Sequence, residues 1–182
     1  MRNFFLIFVA AGLFLIGAAV IFALPRAQQE AVNDSGLSAI PAEVNFPAPD
    51  LALTDLQGNI SSLADHLGEV VLINNWATWC PPCKAEMPTL QAYFRDHAAQ
   101  GFLIIGIEAS DPASQVTAFV EQYGITFPVW LDPLGKAVEA FNNYNLPSSY
   151  VIDRSGAVRL AWVGEISREM LEKYVTPLVE EK

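Results

Sequence analysis

Both cysteines of this chain lie in one five-residue segment, Trp79-Cys80-Pro81-Pro82-Cys83. An apolar run precedes the segment and an amphipathic stretch follows it, a pattern that predicts a strand leading directly into a helix. Backbone N–H groups and the helix dipole favour negative charge at a helix N-terminus, so we expect Cys80 to ionise more readily than a free cysteine. A thiolate beside a second thiol within disulfide reach is the minimum that thiol–disulfide exchange requires.

Two other uses of a cysteine pair fit these residues less well. A zinc site needs further ligands, but the chain has no third cysteine, and His66 and His97 are too far apart for the usual histidine spacing. A purely structural disulfide that closes so short a loop would constrain the unfolded chain very little. Redox chemistry is therefore the favoured interpretation, with no metal and no other cofactor expected.

The amino-terminal part of the chain is apolar. Residues 4–24 contain no charged or polar side chain, and as a helix they would span about 31 Å, close to the thickness of a bilayer core. The apolar core of a signal peptide is usually only about 7–15 residues long. Residues 1–25 are therefore interpreted as a transmembrane anchor, although small residues near Ala23 leave open a cleaved signal segment.

The next segment, residues 26–46, is polar and proline-containing without a sustained period, and it predicts a flexible tether before a folded domain at 47–182. An anchor and a cleaved signal both place the cysteines outside the cytoplasm, where disulfides persist. We therefore expect a single-pass membrane protein whose domain faces the periplasm or the outer face of the cell. With 20 acidic and 10 basic side chains and no basic run, the chain is not expected to bind nucleic acid.

Strands alternate with helices along the folded domain. The apolar pattern predicts a short hairpin at 51–61, strands at 70–73, 102–107 and 127–131, and a second hairpin at 149–163. It predicts helices at 81–98, 111–123, 135–141 and 167–179. This order indicates an α/β domain with a central mixed sheet and helices on both faces.

Residues 71–88, Val-Leu-Ile-Asn-Asn-Trp-Ala-Thr-Trp-Cys-Pro-Pro-Cys-Lys-Ala-Glu-Met-Pro, resemble the active-site segment of the TlpA/ResA-like membrane-anchored thioredoxin family, of which CcmG is a relative. The resemblance covers roughly residues 47–177. It implies a thioredoxin-like fold with an extra N-terminal β-hairpin at 51–61. It also implies an extracytoplasmic enzyme that reduces disulfides in exported proteins, with cytochrome c maturation as one candidate process. Its electrons would come from a membrane thiol-electron transporter of the CcdA/DsbD kind.

The resemblance also assigns roles around the cysteines. Cys80 would be the exposed nucleophile that forms a mixed disulfide with the substrate, and the more buried Cys83 would resolve it. Pro147 occupies the position of the family's cis-proline, and Leu146 before it would contact the bound substrate. Trp79 should flank the cysteines. It would form the substrate-binding surface together with the loop-stiffening prolines Pro81 and Pro82.

Glu86 lies three residues after Cys83, so both side chains share one face of the predicted helix. The family carries a glutamate at this position, which implies that a partly buried carboxyl takes or gives the proton of Cys83. Asn74 stands where thioredoxin has a buried aspartate, and an amide cannot titrate. Asn75 stands where an aromatic residue is common, and no role for it follows from the sequence.

Other polar residues near the second central strand receive a simpler interpretation. Glu108 and Asp111 follow that strand and are interpreted as solvated loop acids.

Two other functions remain as alternatives. A peroxiredoxin-like peroxide reductase needs Thr or Ser three residues before the cysteine and Pro seven residues before it, where this chain has Ala77 and Ile73. A non-enzymatic tethered binding module would use the same surface only to dock a partner. Loss of all function on replacement of both cysteines would exclude the binding module.

Overall fold

The computed structural model describes residues 40–181. The predicted anchor and most of the predicted tether lie outside these residues. Within residues 40–181 no helix has the length and apolar character needed to cross a membrane.

Eight strands of the described chain form one mixed sheet in the order β1-β8-β7-β4-β5-β6-β2-β3. They are β1 (Ala42–Pro47), β2 (Ala52–Asp55), β3 (Ile60–Ser62), β4 (Val70–Trp76), β5 (Phe102–Glu108), β6 (Val129–Leu131), β7 (Ser148–Ile152) and β8 (Ala157–Val163). The central strands β4, β5 and β6 are parallel, and all other neighbouring pairs are antiparallel. The carboxyl ends of the three central strands therefore meet at one edge of the sheet.

Helices cover both faces of this sheet. They are α1 (Pro81–His97), α2 (Ala113–Tyr123), α3 (Lys136–Ala140), α4 (Arg168–Met170) and α5 (Thr176–Glu180), with a π-helical turn at Leu171–Val175 and 3₁₀ turns at Leu63–His66 and Ala98–Gln100. Side chains of α1, α2 and the carboxyl-terminal helical segments pack on one face. Side chains of α3 and of the β2–β3 hairpin pack on the other. The predicted thioredoxin-like fold with an extra N-terminal hairpin is confirmed.

The predicted tether extends too far along the chain. Residues 42–47 form β1, which pairs with β8 as an edge strand of the sheet. Most of its side chains are exposed, so the segment lacks the apolar pattern that would have predicted a strand. Backbone hydrogen bonds to β8, and not burial of side chains, order this strand. The sheet therefore begins before the predicted domain boundary at residue 47.

The turn of π-helix before α5 was not predicted either. Pro177 has no backbone N–H, and a proline ring inside a helix clashes with the carbonyl four residues earlier, here that of Lys173. A widened turn directly before the proline relieves both problems. The last predicted helix is therefore present, but it is divided.

The guanidinium of Arg154 joins three segments at the edge of the sheet opposite the cysteines. It donates hydrogen bonds to the carbonyls of Gly68, Gln100, Gly101, Val179 and Glu181 at 2.9–3.3 Å. The residues that accept these bonds lie just before β4, just before β5 and at the end of α5. One planar cation with five donors satisfies carbonyls that would otherwise lack partners.

Replacing Arg154 with methionine is expected to lower the free energy of unfolding by about 2–4 kcal/mol, because several carbonyls lose a charged donor at once. Arg159→Met is the matched control, since Arg159 makes one surface ion pair with Asp153 at 3.0 Å and should contribute less than about 1 kcal/mol. Urea denaturation of both variants measures the difference. Equal effects would show that Arg154 is not the structural link described here.

Candidate active site

Cys80 and Cys83 lie where β4 passes into α1, at the carboxyl edge of the central strands. They form a disulfide with an S–S distance of 2.08 Å. Cys80 is the N-cap residue of α1, as the strand–turn–helix prediction requires. The Cys80 sulfur therefore lies at the positive end of a helix of 17 residues, where a thiolate is favoured.

Pro81 and Pro82 determine which backbone group reaches this sulfur. They occupy the first two positions of α1 and have no N–H to donate. The first available amide is that of Cys83, which donates to Sγ of Cys80 at 3.3 Å. The two prolines thus leave the amide of Cys83 as the donor that reaches Sγ of Cys80.

The prediction that Cys80 is exposed is wrong for the disulfide state. Cys80 is only 3% exposed and Cys83 is 0% exposed. Cys83 is the more buried of the two, as predicted, but Cys80 is buried as well. Both sulfurs belong to the hydrophobic cluster under α1, and the partly buried Leu146 packs against that cluster. The sequence spacing could not show the burial of Cys80, because the cluster and the loop of Leu146 packed against it include residues more than sixty positions away.

That loop contains Pro147, and the Leu146–Pro147 peptide bond is cis, as the resemblance implied. Ser148 pairs with Asn75 in the β4–β7 ladder, which brings the loop to the same edge of the sheet as the cysteines. Among the described residues, the backbone N–H and C=O of Leu146 have no hydrogen-bond partner. Leu146 therefore presents a free donor and a free acceptor close to the cysteine pair.

Glu86 is more deeply buried than predicted, with no exposed surface. Its carboxylate accepts hydrogen bonds from Nδ2 of Asn74 at 2.8 Å and from the backbone N–H of Ile166 at 3.0 Å. Burial raises the pKa of Glu86 to about 8, and these two hydrogen bonds only partly oppose the rise. At neutral pH this carboxyl is mostly protonated, one helical turn from Cys83, and it can donate a proton or take one back.

The interpretation of Glu108 as a solvated acid is wrong, since this residue is only 1% exposed. Its carboxylate accepts hydrogen bonds from the backbone N–H groups of Ser110 and Asp111. Burial raises its pKa to about 7. The position of Glu108 at the end of an apolar strand was one sign that this acid could be buried. The loop of Ser110 and Asp111, whose N–H groups bond to it, could not be predicted from the sequence.

Asp111 is half-buried rather than solvated, and it accepts a hydrogen bond from the backbone N–H of Thr78 at 2.9 Å. Burial alone would raise its pKa, but hydrogen bonds from Thr78 and from the Glu108 side chain outweigh this and lower it. Asp111 remains ionised and fixes the segment that leads into Cys80. This contact could not be predicted from the sequence because Thr78 and Asp111 are 33 positions apart.

The two tryptophans of the segment lie in different environments. Trp79 is 61% exposed beside the cysteines, whereas Trp76 is fully buried. A Cβ added at Gly106 would lie 3.0 Å from Nε1 of Trp76, so a glycine is needed beneath this ring.

Among residues 40–181, no cluster of three or more His, Cys, Asp or Glu side chains is placed to bind a metal.

Comparison with known proteins agrees with this geometry. A model of the AhpC/TSA family matches residues 44–161. The thiol-disulfide oxidoreductase ResA of Geobacillus kaustophilus is 35% identical over 132 residues, which cover 72% of this chain and 76% of that protein. The chain belongs to the ResA family of thiol-disulfide oxidoreductases.

Two further comparisons support membership of the ResA family. ResA of Bacillus thuringiensis subsp. konkukian is 36% identical over 73% of this chain and 77% of its own. The crystal structure of a thiol:disulfide interchange protein of the thioredoxin family from Chlorobium tepidum matches with a TM-score of 0.68 at 30% identity, covering 76% of this chain and 99% of that one. The thiol–disulfide exchange of the ResA family requires a cysteine pair, and this chain contains only Cys80 and Cys83.

Asn74 and Asn75 have hydrogen-bond partners that sequence reasoning did not find. Asn74 donates to Oγ of Ser149 at 2.9 Å as well as to Glu86. Asn75 donates to Oγ of Ser148 at 3.2 Å. Two consecutive polar residues in a buried strand indicated that each needs a hydrogen-bond partner. The serine partners could not be identified from the sequence, because they lie on β7, more than seventy positions away.

Proposed function

We propose that this protein reduces disulfides in exported proteins outside the cytoplasm. The observation that carries the proposal is the fully buried Glu86, one helical turn from Cys83 and with a pKa raised to about 8. A reductase has to supply protons to the thiols that it produces. A protonated carboxyl beside the resolving cysteine can do this at neutral pH.

The reaction begins with the reduced pair. The thiolate of Cys80 attacks one sulfur of the substrate disulfide, forms a mixed disulfide and releases the other substrate sulfur as a thiolate. Glu86 gives its proton to this released thiolate, and the resulting carboxylate takes the proton of Cys83, which then attacks Sγ of Cys80. The second substrate sulfur leaves and is protonated. Two electrons pass from the pair to the substrate, and the disulfide Cys80–Cys83 remains.

The oxidised pair must then be reduced again. Two electrons from a membrane thiol-electron transporter of the CcdA/DsbD kind would restore the two thiols by the reverse exchange. The transporter would approach through the same edge of the sheet as the substrate. No metal, nucleotide or flavin takes part in either half of the cycle.

A polypeptide substrate would bind beside the cysteines at three elements. The backbone N–H and C=O of Leu146 would pair with an extended chain, and the exposed Trp79 would pack against its side chains. Pro81 and Pro82 would form the third element, in the loop between the two cysteines. Pro81 is exposed and Pro82 is half-buried. A small disulfide could reach the sulfurs without these contacts, so the surface favours proteins.

The location is proposed from the sequence. The 21 consecutive apolar residues at 4–24 are long enough to anchor the chain in a membrane, and the domain would face the extracytoplasmic side. Exported proteins with cysteine pairs would then be the substrates, and apocytochrome c is one candidate among them.

Cys83→Ser, expressed from the native chromosome, is expected to accumulate mixed disulfides on Cys80, because the resolving thiol is missing. Acid quenching, alkylation and non-reducing electrophoresis of the cell envelope would show them, and mass spectrometry would identify the attached proteins. The double variant Cys80→Ser, Cys83→Ser is the control and should trap nothing. The absence of exported proteins among the trapped species would contradict the proposed function.

The same preparation separates the alternatives. A peroxide reductase would oxidise Cys80 with hydrogen peroxide at a high rate and would need no protein disulfide. A binding module would keep its partners after both cysteines are replaced.

A further inference from the structure

The end of β4 is tied to the start of β7 on both faces of the sheet. Asn74 and Ser149 are bonded on the face that carries α1 and Glu86. Asn75 and Ser148 are bonded on the opposite face. Ser148 directly follows Pro147, so the second link lies next to the loop that contains Leu146 and the cis peptide bond.

A second polar pair lies next to this link and holds the loop itself. Ser148 and Tyr150 are two residues apart in β7, so their side chains lie on the same face of the sheet. The Tyr150 hydroxyl accepts a hydrogen bond from Nδ2 of Asn143 at 2.9 Å, and Oδ1 of Asn143 in turn accepts from the backbone N–H and the side chain of Asn145 at 3.0 and 2.9 Å. Polar side chains thus follow one another from Asn75 to the residue before Leu146, and we call these residues the network.

The stability of the core does not explain Asn75. The residue is 1% exposed, and its Oδ1 has no partner among the described residues. Its neighbours on this face are apolar, among them Ile73 and Ile107. A buried carbonyl without a donor lowers stability, whereas an apolar side chain of similar size would avoid that cost. Within residues 40–181, the one hydrogen bond that the Asn75 side chain makes is its bond to Ser148.

We propose that Asn75 is a positioning residue, which holds residues 143–146 through Ser148 and Tyr150 so that the backbone of Leu146 can pair with a polypeptide substrate. The inference rests on the proposed function. It assigns the network to substrate binding and leaves the chemistry of the sulfurs to Cys80, Cys83 and Glu86. The network should therefore matter for disulfides within a peptide and not for small disulfides.

The loop has the features that such binding requires. Leu146 has free backbone groups, and Tyr144 is 75% exposed. Extended peptides bind to such free backbone groups by main-chain hydrogen bonds, and the position of the receiving segment determines whether both bonds can form. A loop that is free to shift would lose part of this binding and would leave the cysteines unaffected.

Asn75→Leu tests the inference with two substrates, a synthetic peptide with one intramolecular disulfide and hydroxyethyl disulfide. For the peptide, kcat/KM is expected to fall about three- to tenfold, the range that one net hydrogen bond provides. For hydroxyethyl disulfide, kcat/KM should change less than twofold, and the midpoint potential of the cysteine pair should not move. Tyr150→Phe removes the hydroxyl that accepts from Asn143 with little change of core volume, and it should act in the same direction.

The control is Thr126→Val, which removes a part-buried side-chain bond, from Gln91 to Thr126 at 2.8 Å, in another part of the fold. It should lower stability and leave the ratio of the two kcat/KM values as in the wild type. An unchanged ratio in both Asn75→Leu and Tyr150→Phe would overturn the inference, as would an equal loss for both substrates. A wild-type protein that reduces hydroxyethyl disulfide but not the peptide would contradict the proposed function instead.

Discussion

Replacing Cys80 with serine is expected to abolish disulfide exchange with every substrate. A hydroxyl oxygen cannot form the mixed disulfide, and Cys83 is fully buried at the first turn of α1. Reduction of a peptide disulfide, followed by thiol release, measures the loss. Because the variant also lacks the disulfide, its stability has to be compared with that of the reduced wild type.

Cys83→Ser separates the two steps of the reaction. It retains the nucleophile, so a single attack should still occur and should be seen as one equivalent of released substrate thiol without turnover. The rate of alkylation of Cys80 in this variant, measured against pH, reports its pKa, which we expect within about 3.5–7.5 for a thiol at a helix N-terminus. An alkylation midpoint near that of free cysteine would contradict the role given to the helix.

Glu86→Gln is expected to change two properties, the pH dependence of stability and the rate of disulfide exchange. The proton on Glu86 is bound more tightly in the folded protein, with a pKa of about 8, than in the unfolded chain, where 4.5 applies. Between these values the folded state binds more protons, so the free energy of unfolding falls as pH rises. Glutamine cannot titrate, and the variant should lose this decline.

The size of the effect follows from the shift. Relative to wild type, Glu86→Gln should gain stability on the order of 5 kcal/mol between pH 4 and pH 9. Urea denaturation across this range measures it. Glu108→Gln is the matched control: its pKa of about 7 should give it a similar effect that ends one pH unit lower. Parallel pH curves for wild type and Glu86→Gln would contradict the raised pKa.

The rate of exchange should fall as well. If Glu86 takes and gives the proton of Cys83, its removal should slow resolution of the mixed disulfide by about 100-fold, the lower part of the range for general acid–base catalysis. The first attack by Cys80 should be much less affected. Rapid-mixing measurements with a fluorescent peptide disulfide distinguish the steps, and equal slowing of both would assign Glu86 to structure alone.

Elements with strong local signals were predicted closely. The apolar runs at β4 and β5 and the N-cap of α1 were located correctly because burial and capping depend on adjacent residues. Strand β1 was missed because its side chains are exposed and only pairing with β8 orders it. The π-helical turn before α5 was missed because one proline changes the hydrogen-bond pattern of the turn before it.

At the site, the sequence determined which atoms react. The spacing of Cys80 and Cys83, the prolines between them and the helix that follows specify a dithiol at a helix N-terminus. Their positions follow from local geometry, in which neighbours along the chain are neighbours in space. Glu86 belongs with them, because it shares their helix.

Tertiary structure alone decided the environment of those atoms. The burial of Cys80, the burial that raises the pKa of Glu108, and the bond from Asn75 to Ser148 all depend on segments that are distant in sequence. Desolvation and hydrogen bonding act through space, and their strength changes over a few ångströms. No pattern along one strand could specify which strand would lie beside it.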